Sequence, residues 1–346
     1  MLDCQISAIE KVREYARRNE TAYCAYMEQV CNPLNINPDV LIEWVLRNPV
    51  TLNFHPDRIL RNGKTIMENL LAQGEYHGQF RTGTTNGGKT AYIGGDRYLW
   101  EQRLFFDAYP QESLDRPKYG ALNLFRYADG ASARFGSCFF TLKHDIVSRC
   151  TFAYGDSSLT PTILCTSDTF AGILVGLLVD VKNHRRLLNK VVSSQQEALA
   201  ILANPRDEHQ EIGKNLDDCI EAHIHGDVRL SEDVENLSMD GSYLHTPFAE
   251  QAKLLCEKYG ITLKTIPKRQ VHADDISALF RGPTLPLLAK KMSRCFVDAQ
   301  GIIDAALIGK ASRESMLHPE KWTDIGTESE LFQYFKQLWH IVGYFG

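Results

Sequence analysis

Residues 220–226 read Ile220-Glu221-Ala222-His223-Ile224-His225-Gly226. On a strand, successive side chains point to opposite faces. Ile220, Ala222 and Ile224 then form one apolar face, and Glu221, His223 and His225 share the other, with a glycine ending the run. The apolar side calls for a core behind it. Two imidazoles and a carboxylate on the reverse suit a site strand, although a half-exposed strand with a polar side has the same pattern.

Working outward, the 346-residue chain has room for one large domain or two ordinary ones. Its 44% hydrophobic and 23% charged content are ordinary for a globular protein with a sizeable core. A net charge of −5 argues against a general nucleic-acid binder. The nine cysteines are scattered and form no CxxC pair, which points to reduced thiols and a cytosolic working environment. No signal peptide is expected, because the start becomes charged before an apolar run develops. The most apolar stretch, Ala171 to Val179, ends at Asp180 and is too short to span a bilayer, so no membrane contact is expected.

Residues 3–31 have helical periodicity up to Asn32-Pro33, and a short helix follows at 40–46. Val50 to Phe54 reads as a strand, and Pro56 turns the chain into a helix expected over 57–73. Residues 74–95 are too rich in glycine for a long element. A helix is expected at 97–106, and strands at 120–127, 137–142 and 149–154. Helices at 168–185 and 187–203 lead into a polar linker, 204–215. After the Glu221 strand come the run 230–237, a turn at Asp240-Gly241, a helix at 247–259, a strand at 261–266 and a mostly helical stretch, 274–346. The class is α+β, with central strands framed by helices. The expected division is a helical lead-in (1–48), a catalytic core (49–273) and a helical extension packed on it (274–346).

Two motifs mislead. Gly83-Thr84-Thr85-Asn86-Gly87-Gly88-Lys89-Thr90 fits the phosphate-loop pattern of nucleotide triphosphatases. A working loop needs a buried strand before it and a long helix after it, yet Glu75 to Phe80 is no buried strand and Gly94-Gly95 follows closely. His55-Pro56-Asp57 is the tripeptide of J-domain co-chaperones, where it joins two helices; here Asn48-Pro49-Val50-Thr51 precludes the first.

Arg58 and Glu221 together suggest cleavage of NAD at the nicotinamide–ribose bond. That reaction builds positive charge on the ribose. A carboxylate bonded to a ribose hydroxyl stabilises the charge, and a guanidinium holds the pyrophosphate bidentately. Tyr119, Phe139 and Phe140 are candidates for an apolar bed under nicotinamide. Arg58 alone equally fits a helix-start arginine paired with Asp57 or Glu68.

Five segments then occur in a telling order: Asn53-Phe54-His55-Pro56-Asp57-Arg58, Tyr119-Gly120-Ala121-Leu122-Asn123, Arg134-Phe135-Gly136-Ser137-Cys138, Gly155-Asp156-Ser157 and Glu221 to Gly226. In this order, from about residue 50 to 250, the chain resembles the CteC-like bacterial effectors, toxin-like ADP-ribosyltransferases that modify a threonine of ubiquitin. The resemblance implies a split-sheet transferase core, NAD as donor, ubiquitin as protein partner, and action in a host-cell cytosol after bacterial delivery. It implies Arg58 as the NAD-binding arginine and Glu221 as the catalytic glutamate. Gly136 and Ser137 would lie on the strand shaping the nicotinamide pocket, with Thr82, Gly83 and Asn86 on a loop next to NAD.

Two positions depart from such transferases. Arginine-modifying enzymes carry Glu or Gln two residues before the catalytic glutamate, where this chain has Cys219, so a hydroxyl acceptor is expected. Arg81 stands where the resemblance leads one to expect a carboxylate. His223 and His225 lack a third ligand at metal-site spacing, so they are expected to orient Glu221 or the acceptor, with no metal. The alternatives are an NAD glycohydrolase, in which water replaces the acceptor, and a non-catalytic module that binds a partner protein.

Overall fold

The computed structural model describes residues 1–83, 90–204 and 211–346. Eight strands form one mixed sheet: β1 (Val50–Phe54), β2 (Lys118–Leu122), β3 (Cys138–Leu142), β4 (Cys150–Tyr154), β5 (Leu164–Thr166), β6 (Ile220–Ile224), β7 (Val234–Asp240) and β8 (Thr262–Ile266). Their order is β8-β7-β3-β1-β2-β6-β4-β5. Neighbours run antiparallel except β7 and β8, which are parallel. The helices are α1 (Asp3–Arg17), α2 (Glu20–Cys31), α3 (Pro38–Leu46), α4 (Ile66–Gln73), α5 (Asp96–Leu104), α6 (Ala171–His184), α7 (Gln195–Leu202), α8 (Pro247–Tyr259), α9 (Thr284–Cys295), α10 (Ala305–Leu317) and α11 (Glu328–Phe345). The chain is therefore α+β, built on a large mixed sheet.

The two sheet faces follow from period-two alternation. Ile220, Ala222 and Ile224 of β6 are fully buried in one core with Leu52 and Phe54 of β1, Phe140 of β3 and Phe152 of β4. The apolar run 171–179 lies on α6 and enters this core, and α2 packs on α6 and α4 on α8 over it. The other face is polar. There, Asn53 donates from Nδ2 to the carbonyls of Asp129 (3.0 Å) and Gly136 (3.2 Å), and Thr51 Oγ1 accepts from the Ala131 amide (3.0 Å). These bonds lay the loop between β2 and β3 across β1. Gly136 permits the contact, since a Cβ there would lie 2.2 Å from the Phe54 carbonyl.

The C-terminal helices close over that loop. Trp339 of α11 donates from Nε1 to the Ala133 carbonyl at 2.8 Å. Arg269 stacks 4.8 Å above the Trp339 ring and pairs with the buried Asp129 at 3.2 Å. Among the described residues no helix is long and apolar enough to cross a membrane, and the nine cysteines are all free.

Several local expectations are corrected. The helix expected from Asp57 begins only at Ile66, because Thr65 and Glu68 form a reciprocal capping box and 57–65 is a loop closed by the Ile59–Thr65 bridge. The expected helix 187–203 is a small hairpin, Arg186–Leu187 with Lys190–Val191, followed by α7, whose N-cap Ser194 accepts from the Glu197 amide. The 3–31 helix breaks at Arg18-Asn19. The strand expected to reach residue 127 stops at Leu122, since the Asn123 side chain bonds both the amide and the carbonyl of Tyr127 and forces a turn. Leu230–Asp233 is a helical turn, and β7 starts after it.

Removing one member of a buried ion pair strands the other charge. Arg269→Ala should therefore cost roughly 3–5 kcal/mol of unfolding free energy, and Arg269→Met, which strands Asp129 as well and recovers only the packing of the stem, only a little less. Urea denaturation of the two variants decides this; equal small losses would show that the pair does not anchor α11.

Candidate functional site

Glu221 sits in the middle of β6, opposite Ala121 of β2 and Ala153 of β4. Two alanines as cross-strand neighbours leave space above the carboxylate. That space is a cavity of about 500 Å³, within the range of small-molecule sites. Besides Glu221, its walls include Asn53 of β1, Tyr119 of β2, Trp100 of α5, Arg134 from the loop over β1 and Lys336 of α11.

The carboxylate is held from one side. Glu221 Oε2 accepts from the Ser157 amide at 3.1 Å and from the Ser157 hydroxyl in a close contact. Ser157 follows β4 in a short turn and is itself buried. Behind it runs a continuous buried relay. Ser157 Oγ lies 2.8 Å from His223 Nε2, and His223 Nδ1 lies 3.0 Å from Thr151 Oγ1. Thr151 Oγ1 is also 3.1 Å from His225 Nε2, and His225 Nδ1 is 2.6 Å from the Tyr109 hydroxyl.

Only one assignment of protons satisfies every member if Glu221 is ionised and both imidazoles are neutral. Tyr109 donates to His225 Nδ1, His225 Nε2–H to Thr151, Thr151 to His223 Nδ1, and His223 Nε2–H to Ser157, which donates to Glu221. Each dipole points toward the carboxylate. Burial pushes His225 well below its ordinary value of 6.5, with His223, Lys118 and Arg149 adding to the effect, which fits the neutral form. Phe105 closes edge-on against both imidazoles, with ring centres 5.5 and 5.3 Å away. With Oε2 engaged, Oε1 is the oxygen left to receive a ligand hydroxyl.

The aromatic side of the cavity is also fixed. Arg97 stacks 4.1 Å over Tyr119 and 4.9 Å over Trp100, and pairs with the buried Glu101 at 2.8 Å. Tyr119 meets the His223 ring edge-on at 5.0 Å. Arg134 pairs with Asp217, which also pairs with Arg281 at 3.2 Å.

The residues singled out from sequence are divided by the structure. Glu221, Tyr119 and Thr82 line the same cavity. His223 and His225 lie under it as the relay, and among the described residues no group of three metal-ligating side chains occurs. Arg58 does not share the cavity. It lines a second one, with Gly83, on the far side of Leu60. The chain turns at Pro56, and the loop 57–65 carries Arg58 toward α10 and α11 instead of toward β6. Gly136 and Ser137 line neither cavity; Ser137 Oγ instead joins His55 Nδ1 (3.2 Å) to the Tyr243 hydroxyl (3.3 Å). Phe139 and Phe140 are buried away from the cavity, Phe140 in the main core. Asn86 and Lys89 lie outside the described residues. The segment before the phosphate-loop motif is the helical turn Gln79–Thr82, not a strand, and His55-Pro56-Asp57 follows β1, not a helix.

Sequence reasoning missed Ser157, Tyr109, Thr151, Asn53, Arg134 and Lys336 as site residues. Ser157 had a signal, because Gly155-Asp156-Ser157 was one of the five ordered segments. Tyr109 and Thr151 had none, as each meets the histidines across more than 70 residues of sequence.

Residues 49–345 match the family described as "Protein of unknown function (DUF3626)", and the chain belongs to that family. The comparison with curated proteins gives no match.

The buried histidines set an acid limit on stability. Burial lowers His55 and His225 well below 6.5 and takes His340 down to about 2. Their stabilisation is complete above the unfolded value near 6.5 and is lost as pH falls below it, because only the unfolded chain then gains protons. Asp57 opposes this, since burial raises its carboxyl to about 6 and the folded form takes a proton first. Three groups against one predict a net loss of about 2 kcal/mol between pH 6.5 and 5.5. Urea unfolding across that interval tests it, and a flat profile would show that the imidazoles titrate equally in both states.

Proposed function

We propose that the chain is an NAD-dependent mono-ADP-ribosyltransferase that transfers ADP-ribose to a protein hydroxyl, a threonine of ubiquitin being the first acceptor to test. The observation that carries this reading is the Glu221 carboxylate, fixed on one oxygen by Ser157 and facing a cavity with an aromatic wall and cationic side chains. The order of the five sequence segments supports it, and so does the sheet, which sets β1 and the glutamate strand on either side of β2.

In this reading nicotinamide lies toward Tyr119 and Trp100, and Glu221 Oε1 accepts a hydrogen bond from a ribose hydroxyl. The bond between ribose C1′ and the nicotinamide nitrogen breaks, and nicotinamide leaves with the electron pair. The cationic ribosyl carbon is stabilised by the carboxylate, whose charge is kept in place by the relay. The acceptor hydroxyl then bonds to C1′ and gives up its proton to solvent water. Arg134 and Lys336 share this cavity and supply the charge opposite the diphosphate, a role that the sequence had suggested for Arg58. Cys219, two residues before Glu221, offers no carboxylate to an arginine acceptor, in keeping with a hydroxyl.

The decisive measurement is the intact mass of ubiquitin after incubation with the protein and NAD, where one added ADP-ribose is expected. Glu221→Gln should lower turnover by roughly 10²-fold, about 3 kcal/mol in the barrier, with little change in NAD affinity. Thr151→Val interrupts the relay without touching the cavity and should cost less, through orientation alone. NAD breakdown indifferent to ubiquitin would point to a glycohydrolase. Absence of any NAD turnover, or near-normal turnover in folded Glu221→Gln, would end the transferase reading.

A further inference from the structure

The second cavity, also about 500 Å³, lies where the loop after β1 meets α10 and α11. Its floor is tightly determined. Asp57 accepts from the Tyr243 hydroxyl at 3.0 Å and lies against Gly309 of α10, where a Cβ would come within 1.6 Å of Asp57 Oδ2. The neighbouring backbone is pinned too: the Arg58 carbonyl accepts from the Ile66 amide at 2.9 Å and that of Pro56 from Met67 at 3.0 Å.

On this floor the Arg58 side chain is set in an unusual way. Its guanidinium lies 4.9 Å from the centre of the Phe332 ring of α11, and it makes no hydrogen bond or ion pair with any described residue. Arg58 is half-buried, and a guanidinium shielded from water to that extent is ordinarily paired. Here the adjacent carboxylate, Asp57, is engaged by the Tyr243 hydroxyl at 3.0 Å. Among the described residues the cavity carries three arginines, Arg58, Arg61 and Arg313, against two carboxylates, Asp57 and Glu328. Phe335 and Trp339, on the same face of α11 as Phe332, extend the aromatic lining of the cavity.

We propose that this second cavity binds a small molecule that joins a phosphate to a flat ring, gripped by Arg58 and separate from the cavity of Glu221. A planar fork held by an aromatic face and lacking a protein acceptor is matched by a phosphate, which takes two parallel N–H···O bonds. The aromatic wall suits a ring stacked at the other end of the molecule. The inference does not rest on the transferase reading, because occupancy of this cavity requires no turnover of NAD.

Calorimetry on the full chain tests it, with AMP as probe and inorganic phosphate as the ring-free control. AMP is expected to bind more tightly than phosphate, and to bind equally well when NAD is saturating. Arg58→Lys keeps the charge but loses the fork, and should weaken AMP by roughly tenfold or more; Arg58→Ala should abolish binding. Phe332→Ala, which removes the stacking surface, should also weaken it and carries the test should Arg58→Ala fail to fold in a melting experiment. Three results would overturn the proposal: no binding of either probe, AMP affinity unchanged in folded Arg58→Ala or Arg58→Lys, or displacement of AMP by NAD. The last would make the cavity one end of the NAD cleft.

Discussion

A buried polar group must find a partner, and much of this protein is arranged around that requirement on one face of its sheet. The core face needs only apolar side chains. The reverse face of β6 places two fully buried imidazoles beside a carboxylate, and an unpaired nitrogen there would cost more than a single hydrogen bond returns. Thr151 and Tyr109 answer that need from β4 and from the segment after α5, and Ser157 completes the line to Glu221. Pairing each group once fixes both tautomers, and the chain of dipoles then ends on one oxygen. Structural satisfaction and a preorganised carboxylate are the same arrangement here.

The same requirement shapes the middle of the sheet. Asn53 and Thr51 on β1 are satisfied by the loop that follows β2, and that loop is held down by Trp339 and by Arg269 through Asp129. The C-terminal helix α11 is therefore part of the architecture of both cavities. Lys336 reaches the first, while Phe332, Phe335 and Trp339 wall the second. Helical spacing sets the two cavities side by side, since positions 332, 335 and 339 lie along one stripe and 336, one turn after 332, lies at its edge. The loop 57–65 settles which cavity Arg58 enters, because the capping box at Thr65 delays the helix and leaves the arginine beside α11.

By itself the sequence determined the two faces of β6, the position of β1, the apolar helix α6 and the α+β class. Each is a periodicity or a turn signal readable within a dozen residues, and local sterics and alternation operate at that range. The helix caps Thr65-Glu68 and Ser194-Glu197 are equally local signals, and they start both helices later than hydrophobic periodicity alone suggests. The sequence also placed Glu221 on the polar face with its histidines. What only the tertiary structure decided was company: Ser157 on the carboxylate, Tyr109 and Thr151 on the imidazoles, Arg134 and Lys336 in the cavity of Glu221, and Arg58 in another. These pairings join residues many tens of positions apart, through strand order and loop paths set by packing of the whole chain. No period in a single sequence records which distant side chain will satisfy a buried nitrogen; only the closed fold fixes that.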